Sequence, residues 1–155
     1  MGRIEERLEA LGIRLPEPPE RAGLYVQTKG FSDILCVSGC GPDLPGEPSP
    51  KGKLGELTVE DGRKAAANCM LNALSILRRD LGTLDRVQSF VKMLTFVASR
   101  DDFFQQPAVA NGASGLLIEV FGQEIGCPSR SAIGVNVLPG NIPVEVEVMV
   151  QINQA

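Results

Sequence analysis

Arg130, in Cys127-Pro-Ser-Arg-Ser131, and Glu145, fifteen residues further on, are the side chains best suited to do chemistry in this chain. That segment directly precedes one β-patterned run, Ala132 to Leu138, and Glu145 begins a second. A guanidinium at a strand edge offers the planar two-donor fork that matches a small carboxylate. A carboxylate on the next strand can hold a water and take its proton. What is missing narrows the chemistry further. With no histidine in 155 residues, Ser-His-Asp and Cys-His nucleophile systems, histidine-ligated zinc and the paired histidines of many RNA-cleaving enzymes fall away. Proton transfer is left to carboxylates, tyrosine, lysine, cysteine or bound water. No G-x-x-x-x-G-K-[ST], G-x-G-x-x-G or G-x-S-x-G occurs, so no nucleotide cofactor, and no other cofactor, is expected.

Cys36, Cys40, Cys69 and Cys127 have no C-x-x-C spacing and no histidine partners, so they read as free thiols rather than a metal site. Cys40, in Ser38-Gly-Cys-Gly-Pro42, is the thiol with a place near a cleft. The N-terminus, Met1-Gly-Arg-Ile-Glu-Glu-Arg-Leu-Glu9, is charged and lacks the apolar stretch of a signal peptide. No apolar run approaches the ~20 residues of a membrane span, so a cytoplasmic location is expected, with no membrane partner. A net charge of −4 argues against nucleic acid as a partner, because non-specific binding there rests on phosphate neutralisation.

Ile4, Leu8 and Leu11 recur at helical spacing and predict a helix over about residues 2 to 12. The prolines of Leu15-Pro-Glu-Pro-Pro19 then force an extended connector. We divide the chain accordingly into this N-terminal helix and connector, residues 1–22, and a single domain, residues 23–155. Such a length buries about 70% of the unfolded surface. Gly23 to Thr28 and Asp33 to Ser38 read as a hairpin around Lys29-Gly-Phe-Ser32, and the Gly- and Pro-rich stretch from Gly39 to Gly55 as a mobile loop. Thr58-Val-Glu-Asp61 has a capping-box pattern, and Ala66, Met70, Ala73, Leu77 and Leu81 form an apolar stripe, so a long helix is predicted from about Val59 to Leu81, stopped by Gly82. A strand from Arg86 to Ala98, a second helix from about Ala113 to Phe121, and strands over Ser129–Leu138 and Val144–Ile152 complete an α+β order.

In Arg86 to Ala98, Phe90, Leu94 and Phe96 fall on one face and Val87, Val91, Met93 and Val97 on the other. Two main helices can cover one side of such a sheet. The second face is left for the N-terminal helix or for another subunit.

Tyr25-Val-Gln27, Val37-Ser-Gly39, the long helix, Asp102-Phe103, Pro128-x-Arg-Ser131, Leu138-Pro139 and Val144-Glu-Val-Glu147 follow one another in the order and spacing of a known family. From about Gly23 to Ile152 the chain resembles the YjgF family, also called Rid, the reactive-intermediate deaminases. The N-terminal extension, the loop after Ser38 and Val109-Ala-Asn-Gly-Ala-Ser114 resemble a divergent branch labelled endoribonuclease L-PSP. The resemblance implies a chorismate-mutase-like mixed sheet with its main helices on one face, a homotrimer, and clefts between neighbouring subunits. It further implies hydrolysis of small reactive enamine or imine acids to 2-keto acids and ammonia. In that scheme Arg130 clamps the substrate carboxylate, Glu145 is the catalytic acid beside the attacking water, and Tyr25 and Ser38 line the cleft. Asn111 is the nearest match to the family's cleft asparagine. Ala132 stands where active members commonly carry a cysteine, so contact through that side chain is lost. Two readings stay open, a deaminase and a trimer that binds a small carboxylate metabolite without turnover. An endoribonuclease ranks last, since this chain has no histidine and one tyrosine.

Overall fold

The computed structural model describes residues 2–153 of the protein. Its longest helix, here α2 (Val59–Leu81), begins where the capping box predicts. Thr58 Oγ1 accepts from the Asp61 N–H at 3.1 Å, and the Asp61 carboxylate accepts the Thr58 N–H at 2.9 Å. Together they satisfy two of the backbone donors that a helix start leaves free. Ala66, Met70, Ala73 and Leu77 of the predicted stripe are fully buried, and Gly82, at φ 80°, ends the helix.

The second main helix, α3 (Gln106–Gly126), starts seven residues before the position expected from sequence. Gln-Gln-Pro107 reads as a break, but Pro107 lies in the first turn, where a missing N–H costs nothing and a fixed φ suits the helix. The expected stop at Gly122 is a real discontinuity, with φ 81° and ψ 167°, followed by one further turn. The two helices meet at Gly112, where any Cβ would overlap the Arg63 carbonyl. Only glycine permits that approach.

Five strands form one sheet in the order β1-β2-β5-β3-β4. They are β1 (Thr28–Phe31), β2 (Ile34–Cys40), β3 (Val87–Ala98), β4 (Ser129–Val135) and β5 (Val144–Ile152). All neighbours run antiparallel except β3 and β4, which are parallel and joined through α3. The hairpin is displaced from its expected position. Thr28 to Phe31 pair with Ile34 to Val37 around Ser32-Asp33, and Gly23 to Gln27 are not a strand. A two-residue hairpin needs a positive φ at its tip; Ser32 supplies it at 55°, while Gly30, the residue that invited a turn, stays in the ladder opposite Leu35. The segment from Gly41 onward is also less free than its composition suggests. Buried Asn72 donates from its amide nitrogen to the Gly41 and Asp43 carbonyls, each at 3.0 Å, and Asp43 accepts from Ser49 and Lys51.

The core lies between the sheet and the two main helices. Along β5, Val144, Val146, Val148 and Val150 are buried, while Glu145, Glu147, Met149 and Gln151 face away, as the alternation predicts. In β3 the alternation is broken by register shifts between Val87 and Ser89 and between Phe90 and Lys92. Phe90 is thereby turned into the core against Phe121, and Val91 is left 39% exposed, the reverse of the strict period-two expectation. The open face carries Leu94, Phe96, Ile133 and Met149, the last two 41% and 39% exposed. The N-terminal helix, α1 (Arg3–Ala10), does not cover it. That helix packs against α3 and the short turn Leu84–Arg86, where Asp85 accepts the Arg3 and Ile4 N–H groups at 2.7 and 2.9 Å.

Candidate functional site

Arg130 lies on the edge strand β4, and its position pairs with buried Met93, so its side chain leaves the sheet on the helix-covered side. There α3 receives it. One terminal nitrogen donates to Asn111 Oδ1 at 2.7 Å and Ser114 Oγ at 2.9 Å, and the other approaches the Pro107 carbonyl at 3.4 Å. Asn111 and Ser114 are three residues apart on a helix, hence on one face. Asn111 is the residue that matches the family's cleft asparagine; Ser114 joins it because α3 starts at Gln106 and not at Ala113. A start at Gln106 makes the pair visible.

Glu145 is not on the strand beside Arg130. β3 intervenes: Glu145 pairs with Phe96, which also pairs with Ile133 of β4. Lying between buried Val144 and Val146, Glu145 leaves the sheet on the face opposite Arg130. The guanidinium and the carboxylate, adjacent in the sequence-based picture, are therefore not brought together within one chain.

Glu145 instead lines a cavity of about 560 Å³ with Tyr25, Ser38, Gly39, Cys40, Ile76 and Pro139. Gly39 makes this possible, since a Cβ there would overlap the Glu145 carboxyl group. Among the described residues no hydrogen-bond donor engages that carboxylate. Burial pushes its pKa above the ordinary carboxylate value, and the like charge of Glu147 adds to the effect. Cys40, buried in the same wall, is pushed up to about 12 by burial and by the Glu145 charge. It is a thiol at neutral pH and a poor nucleophile. The Ser38 hydroxyl donates to the Val26 carbonyl at 2.7 Å, and the Tyr25 hydroxyl accepts the Ala22 N–H at 3.2 Å. Gln27, the last residue of the Tyr25-Val-Gln27 motif, lines the cavity too, as do Pro19, Glu20 and Ala22, which no motif marks in the sequence. Among the described residues no group of three or more acidic, cysteine or histidine side chains converges to hold a metal.

Residues 5–152 match the family model described as "YjgF/chorismate_mutase-like, putative endoribonuclease". The chain belongs to the YjgF family. It is 42% identical over 153 residues to Protein TCP17 of Trypanosoma cruzi, covering 98% of this chain and 96% of that one. Among solved structures it superposes with a TM-score of 0.92 on a protein of Shewanella oneidensis described as a putative endoribonuclease, at 30% identity, over 97% of this chain and 100% of the other. Atu1372 of Agrobacterium tumefaciens gives a TM-score of 0.88 at 35% identity, over 97% and 92% of the two chains. The family match takes in most of α1 and the whole connector.

Proposed function

We propose that this YjgF protein hydrolyses small reactive enamine and imine acids to 2-keto acids and ammonia, in clefts completed between the subunits of a homotrimer. The observation that carries the reading is the separation of two complementary halves. Among the described residues the cavity around Glu145 has carboxylates and no lysine or arginine in its lining, while Arg130 presents a guanidinium at the sheet's β4 edge. A second copy that brings its β4 edge against the cavity supplies the missing cation. The half-exposed apolar face of Leu94, Phe96, Ile133 and Met149 gives copies a surface on which to associate.

In the assembled cleft Arg130 of one copy clamps the substrate carboxylate through two parallel N–H donors. An enamine substrate first takes a proton on carbon and gives one up from nitrogen, becoming the imine. Glu145 of the neighbouring copy, as the carboxylate, accepts a proton from a water that attacks the imine carbon; the new C–O bond forms as the C=N electron pair moves to nitrogen. The proton held on Glu145 then passes to that nitrogen, giving a carbinolamine; Glu145 next carries the hydroxyl proton to the same nitrogen as the C–N bond breaks, so ammonia leaves and the C=O bond forms. The pKa of Glu145 is raised by burial, which makes it a better base than an ordinary carboxylate.

Ala132 supports a second reading. Half-buried on β4 two residues after Arg130, it has no polar atom to contribute where active relatives carry a cysteine. A trimer that binds a carboxylate metabolite without turnover accommodates it. One assay separates the two: imines generated freshly by an amino-acid oxidase are trapped with semicarbazide, with wild type and Glu145→Gln side by side. A hydrolase accelerates imine loss, and Glu145→Gln lowers the rate by about 10²-fold with little change in ligand affinity. The wild-type rate should fall as pH drops through the Glu145 pKa, at a pH above that of an ordinary carboxylate, because the ionised form is the base. No acceleration over buffer with any of several side chains would leave the binder.

A further inference from the structure

Part of the cavity wall is built by the connector between α1 and β1 rather than by the sheet. Pro19, Glu20 and Ala22 line it, and side chains from elsewhere hold them in place. Gln27 Nε2 donates to the Pro19 carbonyl at 2.7 Å, and Arg79 on α2 donates to Gln27 Oε1 at 2.9 Å. The Ala22 N–H reaches the Tyr25 hydroxyl, and Arg21 donates to the Tyr25 carbonyl, both at 3.2 Å. The connector is thus tied to the helix behind the cavity and to the tyrosine inside it.

Two properties of this wall bear on the ligand. Glu20 and Glu145 are the charged side chains of the lining, and Glu20 is exposed, with no hydrogen bond or ion pair to any described residue. The cavity, at about 560 Å³, falls in the ~300–1,000 Å³ range of sites that hold multi-carbon ligands. A three-carbon acid leaves most of it empty. A longer side chain, entering with its carboxylate on the neighbour's Arg130, can extend along the connector to Glu20, where a positive end meets an unpaired carboxylate.

We infer that the connector is a specificity element of this site, with Glu20 selecting substrates whose side chain ends in a cation and Gln27 acting as the positioning residue that holds the wall. The inference rests on the hydrolase reading above. Arginine and citrulline give imines of the same length, one ending in a guanidinium and the other in a neutral ureido group. Wild type should favour the arginine imine in kcat/KM by roughly fivefold, the scale of a partly solvated ion pair. Glu20→Gln should bring the ratio near one, Glu20→Lys should invert it, and Gln27→Ala should lower it. A wild-type ratio of one, with both imines hydrolysed, overturns the inference and leaves the hydrolase reading standing. If neither imine is hydrolysed faster than in buffer, calorimetry with the two corresponding 2-keto acids decides. Equal affinities then overturn selection by Glu20; tighter binding of the guanidino acid, lost in Glu20→Gln, supports it for a binding protein.

Discussion

The two halves of the candidate site are held by opposite means. Arg130 is fixed by side chains, with two oxygen acceptors on α3 within 2.9 Å and a third at 3.4 Å. Glu145 has no donor partner among the described residues and owes its place to a missing side chain, that of Gly39. A clamp gains from rigidity, because a guanidinium already oriented loses less freedom when it binds a carboxylate. A base gains from unused acceptor capacity, because its lone pairs stay available to a water. Each half therefore has its own weak point, and perturbing them separately tests whether they serve one reaction.

The largest effect is expected at the rigid half. Arg130→Ala should weaken binding of small 2-keto acids by at least ~10²-fold, the loss of two charge-assisted hydrogen bonds, with the assembly intact by light scattering. Arg130→Lys should recover little, since lysine lacks the planar fork. Unchanged affinity in both variants, measured by calorimetry, would assign Arg130 to holding α3 against β4.

Next comes the open half. A methyl group in Gly39→Ala would overlap the Glu145 carboxyl and force it aside. Misplacing a base by about 1 Å costs on the order of 10-fold or more in kcat, and carboxylate affinity, which the proposed clamp assigns to Arg130, should change little. A fall in affinity equal to the fall in rate would show that the two halves are not separable.

The unequal legibility of the two halves has a physical origin. α2 and β5 could be read because capping and alternation are local rules, and Thr58, Asp61 and the valines of β5 obey them. The hairpin lies away from its expected place because its positive φ falls on Ser32, a residue type that does not advertise one. In β3 the register shifts undo strict alternation, and no residue type there announces them. Arg130 and Glu145 each stand out in the sequence by their chemistry, but their relation does not, because sequence order does not reveal that β3 runs between β4 and β5. Least legible was the connector, whose prolines signal only a lack of regular structure while Glu20 and Ala22 line the cavity.

A milder perturbation reaches the clamp without touching its charge. In Asn111→Ala/Ser114→Ala the guanidinium loses both of its shorter contacts and must be ordered by the ligand itself. Immobilising one long side chain costs roughly 0.5–1.5 kcal/mol, so 2-keto acid affinity should fall about fivefold. Single variants should fall in between. If the double variant binds as wild type does, the guanidinium is oriented by the neighbouring subunit and not by α3.

The smallest effect is expected between the halves and should alter neither. Thr95, in the middle of β3, pairs with Ala132 on the strand of Arg130 and with Val146 on the strand of Glu145. Its hydroxyl is fully buried and has no hydrogen-bond partner among the described residues. An unsatisfied buried hydroxyl costs about 1–3 kcal/mol, and valine fills the same volume without that cost. Thr95→Val should therefore stabilise the protein by about 1 kcal/mol, raising the thermal midpoint by roughly 2–4 °C at fixed protein concentration. Affinity for 2-keto acids should stay at the wild-type value, because both halves keep their contacts. A lower midpoint would mean that the hydroxyl gains a hydrogen bond in the assembled protein. A higher midpoint with weakened binding would instead make the centre of β3 a mechanical link between clamp and base, and the two halves would no longer be independent.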